Sequence, residues 1–434
     1  MYEEAFKNID DVLWKDAGCS SELDYIEQTS WILLLKYLDD YEEEKETAAI
    51  LNGETYERII DEEFRWKELT CALKLRKFIV NLLKNMINRL FFGIAAFGLL
   101  LTGCASNQNE NISRLSLIQK RDELICGVSG KIPGFSFIQT DGSFKGLDVD
   151  ICKAFAAAII GDSEKIQFRP LTAAERFLAI KTGDIDLLSR NTTLTLSRDS
   201  FGGNGLTFAP VVFHDGQGLM VKKNSGIKSI QELANKSICV GSGTTTEQNI
   251  NDTFESLSLP YIPIKYQDLN QVVAGYLQGR CQAMTSDRSQ LAAARSGFKN
   301  AKDHIILDDV LSKEPLAPAS DGSEQKLADA MRWTVFALIA AEEQGITQSN
   351  IADKVQLAKN NPQLKSLRRF LGVDGGLGEK IGLSNDFVVN VIKATGNYGE
   401  IYDRNLGRDS DVPIPRGLNE IYSKGGLHIS PPFN

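Results

Sequence analysis

Three places in this sequence carry side chains able to hold a small charged molecule. Arg198 follows the hydroxyl-rich run Asn191-Thr192-Thr193. A guanidinium is a planar fork that can meet a carboxylate with two parallel charge-assisted hydrogen bonds. Asp287 ends the run Ala283-Met284-Thr285, at the kind of strand end where open α/β sheets present ligand groups. A carboxylate there suits an amine, and it could equally cap the helix expected over Arg288–Ala294. Gly243-Thr244-Thr245-Thr246-Glu247 follows the apolar run Ser237–Val240 and reads as a helix start, whose free N–H groups and positive dipole end attract an anion. Ordinary N-capping would use the same threonines.

Other chemistries find little support. The formal net charge of -9 argues against nucleic acid as a partner, because phosphate backbones reward basic surfaces. His214, His304 and His428 are scattered without metal-ligand spacing, so neither a metal nor a cofactor is implied. Gly127-Val128-Ser129-Gly130-Lys131 lacks the spacing of a phosphate-cradling loop, and no Gly-x-Ser-x-Gly elbow is present.

The elements that must position these groups alternate in type, which indicates an α/β fold. Strands are expected at Leu124–Val128, Lys165–Phe168, Ile185–Leu188, Leu219–Val221, Ser237–Val240 and Ala283–Thr285. Helices are expected at Asp150–Ile160, Thr172–Lys181, Ile230–Leu233 and Arg288–Ala294, with a mostly helical block from Glu324 to the end. Two similar α/β halves and a returning helical tail suggest two lobes with a cleft between them.

A different signal lies upstream. Met86 to Cys104 reads MINRLFFGIAAFGLLLTGC: Arg89, an apolar run over Leu90–Leu101, then the small-residue site Leu101-Thr102-Gly103-Cys104. This is the three-part plan of a secretory signal peptide, with an apolar run too short to span a bilayer. Its last four residues resemble a bacterial lipobox, which implies lipidation of Cys104. A polar tether, residues 104–113, follows. The position is unusual, because 85 residues precede Met86; of these, residues 1–69 hold most of the excess acid, including Glu42, Glu43, Glu44 and Glu46. We read residues 1–85 as a fused gene fragment or a misassigned start.

The residues carry two resemblances. Leu124–Phe137 (LICGVSGKIPGFSF), Gly146-Leu147-Asp148-Val149-Asp150, the run from Ser189 to Asp199, Asp215-Gly216-Gln217-Gly218, Gly243–Glu247, Gly279-Arg280-Cys281 and Gly396–Glu400 are similar to the general L-amino-acid-binding periplasmic proteins. The likeness runs over about residues 114–434. It implies a type II-like bilobed periplasmic-binding fold with two hinge strands: lobe 1 over 114–217, lobe 2 over 218–318, and lobe 1 completed over 319–434. It further implies an extracytoplasmic binding protein, lipid-anchored through Cys104, that delivers L-amino acids to ABC transporter permease subunits. Arg198 matches the family's carboxylate-binding arginine and Asp287 its amine-binding aspartate. Asn191, Thr193, Thr244 and Thr245 supply neutral groups, Phe135 and Ile132 an apolar wall, and Arg176 falls at a position that sets side-chain selectivity; a solvated helix face would also explain Arg176. Leu194 and His214 depart from the family's usual tryptophan and tyrosine, and residues 319–327 lack its usual pattern between the lobes.

The second resemblance covers residues 1–70. Phe6–Trp14, Tyr25–Ser30 and Leu34–Asp40 look like the N-terminal helical piece of type I restriction-modification methyltransferase subunits, with residues 71–103 as linker and signal. Methylation would need an Asn/Asp-Pro-Pro-aromatic motif, and Ser430-Pro431-Pro432-Phe433 lacks its first residue. Two rival functions follow: an enzyme on the bilobed fold, resembling dehydratases of cyclic amino acids, or a remnant DNA-modification subunit.

Four cysteines follow residue 104, and four allow three pairings. Given the lobes that the resemblance implies, Cys126–Cys152 and Cys239–Cys281 is the pairing that leaves the cleft able to open; four free thiols are the alternative. Oxidising compartments favour the bridges.

Overall fold

The computed structural model describes residues 112–434 and, before them, Glu46 alone. The signal-like segment, Cys104 and the methyltransferase-like piece lie outside the described residues.

A first sheet runs in the order Ile166–Pro170, Leu124–Val128, Leu187–Leu188, Ala319–Asp321, Leu206–Phe208. Leu124–Val128 pairs parallel with both neighbours, as βαβ crossovers require. One crossover is the helix Leu147–Ile159, buried on nearly every face. Its alanines let the helices Gln325–Glu343 and Phe387–Thr395 pack closely upon it. The C-terminal helical block thereby completes the core of the first lobe, with Phe370, Phe387, Val391 and Tyr398 all buried.

A second sheet has the order Ile262–Tyr266, Ser237–Gly241, Ala283–Asp287, Phe213–Lys222, His304–Ile306. Phe213–Lys222 is the element that joins the lobes. Its second half pairs antiparallel with Ala283–Asp287 and His304–Ile306 inside the second sheet. Its first half pairs with the returning strand Lys313–Leu316, placing Asp215 opposite Glu314 and Gly216 opposite Lys313. These two antiparallel strands carry the chain out of and back to the first lobe. The altered segment after them still forms a strand, since Ala319–Asp321 pairs with Leu206–Phe208.

Several elements differ from expectation. The strand expected at Leu219–Val221 is ten residues long, because His214-Asp215-Gly216-Gln217-Gly218 looks like a turn locally but is extended by pairing on both sides. Ile262–Tyr266 escaped notice because Pro263 argues against a strand; it lies at the sheet's edge, where a missing N–H is tolerated. The helix expected from Thr172 begins at Arg176, and Glu175 instead accepts from the N–H and hydroxyl of Thr172. Cys126 is joined to Cys152 and Cys239 to Cys281, each bridge staying within one lobe.

Candidate functional site

Between the sheets lies a cleft with a cavity volume of about 160 Å³. The first lobe contributes Ile132, Arg176, Arg190, Asn191, Thr193 and Arg198 to its lining; the second contributes Thr244, Thr245, Thr246, Ser286, Asp287 and Gln290. Eight of the nine expected ligand-binding residues therefore line one space. Phe135 does not. Its ring packs edge-on to Phe213 at 5.1 Å in the first lobe's core, where a large apolar side chain is best removed from water. Its neighbour Ile132 does line the cleft, among other apolar side chains such as Leu171, Leu269 and Val272.

Arg198 is 7% exposed. It leaves the short helix Leu196–Asp199, which Thr195 caps by accepting the Arg198 N–H. Its Nη1 donates to the Thr193 carbonyl at 2.8 Å, and its guanidinium lies 5.3 Å from the Phe177 ring centre. Arg176 lies 4.6 Å from the same ring, so one aromatic ring serves two cations. Arg176 is buried, not on a solvated face, and its Nε has no partner in the protein. Burial, then repulsion from Arg190 and Arg198, pushes its pKa well down from the usual arginine value. Arg190, not anticipated as a site residue, donates from Nε to the Leu171 carbonyl at 2.8 Å, and burial lowers its pKa to about 10. The available signal was a charged residue two positions beyond the strand Leu187–Leu188.

Asn191 occupies a left-handed backbone conformation with φ 42°. Both polar atoms of its buried amide lack partners in the protein. An unpaired buried amide costs roughly 1–3 kcal/mol, which a ligand with a donor and an acceptor would offset.

Across the cleft, Asp287 is 3% exposed and accepts from Gln290 Nε2 at 2.8 Å. It does not cap the helix Arg288–Ser296. Asp215 takes that place, accepting the Ser289 N–H at 3.2 Å from the crossing strand. Burial, then the charges of Asp215 and Glu314, holds the Asp287 carboxyl well above the usual range; the two neighbouring carboxylates add negative potential that attracts a cation. Thr244 does cap its helix, accepting the Glu247 N–H at 3.2 Å and donating to the Gly241 carbonyl at 2.7 Å. The Thr245 and Thr193 hydroxyls stand 3.3 Å apart. His214 is held by Asn419 and does not line the cleft. Among the described residues no cluster has the makings of a metal site, and no helix is long and apolar enough to cross a membrane.

Two sheets joined by paired crossing strands, with cations on one wall of the cleft and a carboxylate on the other, define a bilobed periplasmic-binding protein. The chain belongs to the bacterial extracellular solute-binding proteins, family 3, whose pattern matches residues 124–371. It is 43% identical over 349 residues to the general L-amino acid-binding periplasmic protein AapJ of Rhizobium johnstonii, covering 80% of this chain and 99% of that one. It is 41% identical to the glutamate/glutamine/aspartate/asparagine-binding protein BztA of Rhodobacter capsulatus, over 79% of this chain and 98% of that one. Among solved structures, an ABC transporter periplasmic binding protein from Brucella ovis with glutathione bound superposes with a TM-score of 0.70. It is 41% identical, over 74% of this chain and 99% of that one. Residues 3–126 separately match the HsdM N-terminal domain, reaching beyond the expected boundary at residue 70.

Proposed function

We propose that this protein captures free L-amino acids by closing its two lobes around them, and delivers them unchanged to the permease subunits of an ABC transporter. The observation that carries this reading is the division of charge: Arg198 on one wall of the cleft and Asp287 on the other. Neither lobe alone satisfies both ends of a zwitterion, so ligand favours the closed form through contacts available only there. In this reading Arg198 takes the α-carboxylate with help from backbone N–H groups at the helix start Thr245–Ser256. Asp287 takes the ammonium, Asn191 and Thr193 complete the backbone contacts, and Ile132 and Arg176 face the ligand side chain. A micromolar dissociation constant amounts to about 8 kcal/mol, within reach of two charge-assisted pairs in a desolvated cleft.

The names of the Rhizobium and Rhodobacter relatives, both amino-acid-binding proteins, support this reading over a catalytic one. Proteins of this kind work outside the cytoplasm; a lipid anchor at Cys104 is part of the proposal, as are lobe boundaries near residues 218 and 318. Calorimetry with the twenty L-amino acids tests the function: heat of binding with every ligand recovered unchanged is expected, and turnover of any of them overturns it. Mass spectrometry of the N-terminus tests the anchor, a diacylglycerol-modified Cys104 being the expected product.

A further inference from the structure

Glu314 stands on the returning strand, opposite Asp215, and is 1% exposed. It does not line the cleft. Four donors converge on it: the hydroxyls of Thr193 and Thr245 reach Oε2 at 2.5 and 2.9 Å, and the Asn249 amide and Ser312 hydroxyl reach Oε1 at 2.7 and 2.5 Å. Thr193 belongs to the first lobe; Thr245 and Asn249 belong to the opening turns of a second-lobe helix. One carboxylate thus gathers hydroxyls from both walls of the site.

A carboxylate only accepts, and a hydroxyl has a single proton. When Thr193 and Thr245 both give their protons to Glu314, no proton remains for the 3.3 Å gap between their oxygens. Both then face the cleft, which they line, with lone pairs alone. Two adjacent oxygens without a proton between them repel unless an outside donor bridges them. We infer that Glu314 is a positioning residue: it turns Thr193 and Thr245 into acceptors, so that together with Asp287 they read the ligand's ammonium. This rests on the amino-acid-binding function proposed above. Hydroxyls at a helix start would otherwise serve a carboxylate as donors; here the carboxylate is left to Arg198 and backbone N–H groups. Because the two threonines come from different lobes, the ammonium site is complete only when the lobes meet.

Calorimetry on the full chain with two ligand pairs tests this: L-glutamate against glutarate, and L-lysine against 6-aminohexanoate, each second member lacking only the α-amine. Glu314→Gln keeps the shape; the Asn249 amide holds the new carboxamide oxygen on its own side, so the NH2 replaces the oxygen to which both hydroxyls give their protons, and those protons must turn to the cleft. The expected result is a loss of about tenfold or more for the tighter-binding α-amino acid, with its des-amino counterpart unaffected. Thr245→Val is expected to show the same selective loss and serves if the first variant does not fold. Equal weakening of both members of a pair, or undiminished binding of the α-amino acid, overturns the inference and leaves the proposed function standing. A wild-type protein that holds neither α-amino acid more tightly than its counterpart sinks both.

Discussion

Asp148, in the first turn of the helix Leu147–Ile159, accepts the backbone N–H of Asn191 at 3.2 Å and the hydroxyl of Ser189 at 3.1 Å. One carboxylate thereby fixes the loop that carries Arg190 and Asn191 into the cleft. Its burial raises the carboxyl to about 6, only partly offset by those donors, and burial does the same to Asp215.

That shift gives stability a pH dependence of definite sign. An unfolded aspartate titrates near 3.9, so between about 4 and 6 the folded chain holds protons that the unfolded chain has released. The contribution is complete below about 4 and is lost as pH rises through 6. The unfolding midpoint should therefore rise on going from pH 7 to pH 5. Asp148→Asn should flatten that slope, removing on the order of 1 kcal/mol of the change between pH 7 and pH 5. Thermal unfolding of both proteins across this range checks it; an unchanged slope in the variant counts against the assignment.

Gly146 makes the Asp148 contact possible. Its φ is 139°, and a Cβ there would lie 2.0 Å from the Phe135 carbonyl oxygen. Gly146→Ala should lower stability by about 2 kcal/mol or more, measured by urea denaturation. Full stability would show that the turn relaxes freely.

For the ligand, Arg198→Ala should weaken L-amino acid binding by about thirtyfold or more, the usual cost of deleting one partner of a buried charge pair. Arg198→Lys should recover only part of it, because an ammonium lacks the fork. Asp287→Asn should weaken binding of amino acids while sparing their des-amino analogues. Calorimetry decides each case.

The bridge Cys239–Cys281 closes a separation of 42 residues and Cys126–Cys152 one of 26. On loop entropy each should contribute about 4 kcal/mol. Dithiothreitol should lower the unfolding midpoint, and Cys239→Ser with Cys281→Ser should lower it without abolishing ligand binding, because neither cysteine touches the cleft.

Much of the cleft was legible before any coordinates. Leu124–Val128, Ser237–Val240 and Ala283–Thr285 announce themselves as short apolar runs between turn residues, and the groups at their C-terminal ends follow from them. Phe135 departs from the expected wall position because its place in the chain, near Ile132, does not reveal which way its ring turns. Glu314 and Arg190 were passed over for a related reason. A glutamate between Lys313 and Pro315 reads as solvated until Thr193, Thr245 and Asn249 are seen to surround it.

The amino-acid sequence by itself determined the alternation of strands and helices and the residue types able to grip an acid and an amine. Those features depend on neighbours close along the chain. Only the tertiary structure decided that Asp215 rather than Asp287 caps the helix Arg288–Ser296, and that Arg176 is buried beside Arg190 and Arg198. It also decided that two threonines 52 positions apart share one carboxylate. These facts arise where two lobes and two crossing strands meet, and burial there sets the charge and proton direction of each group.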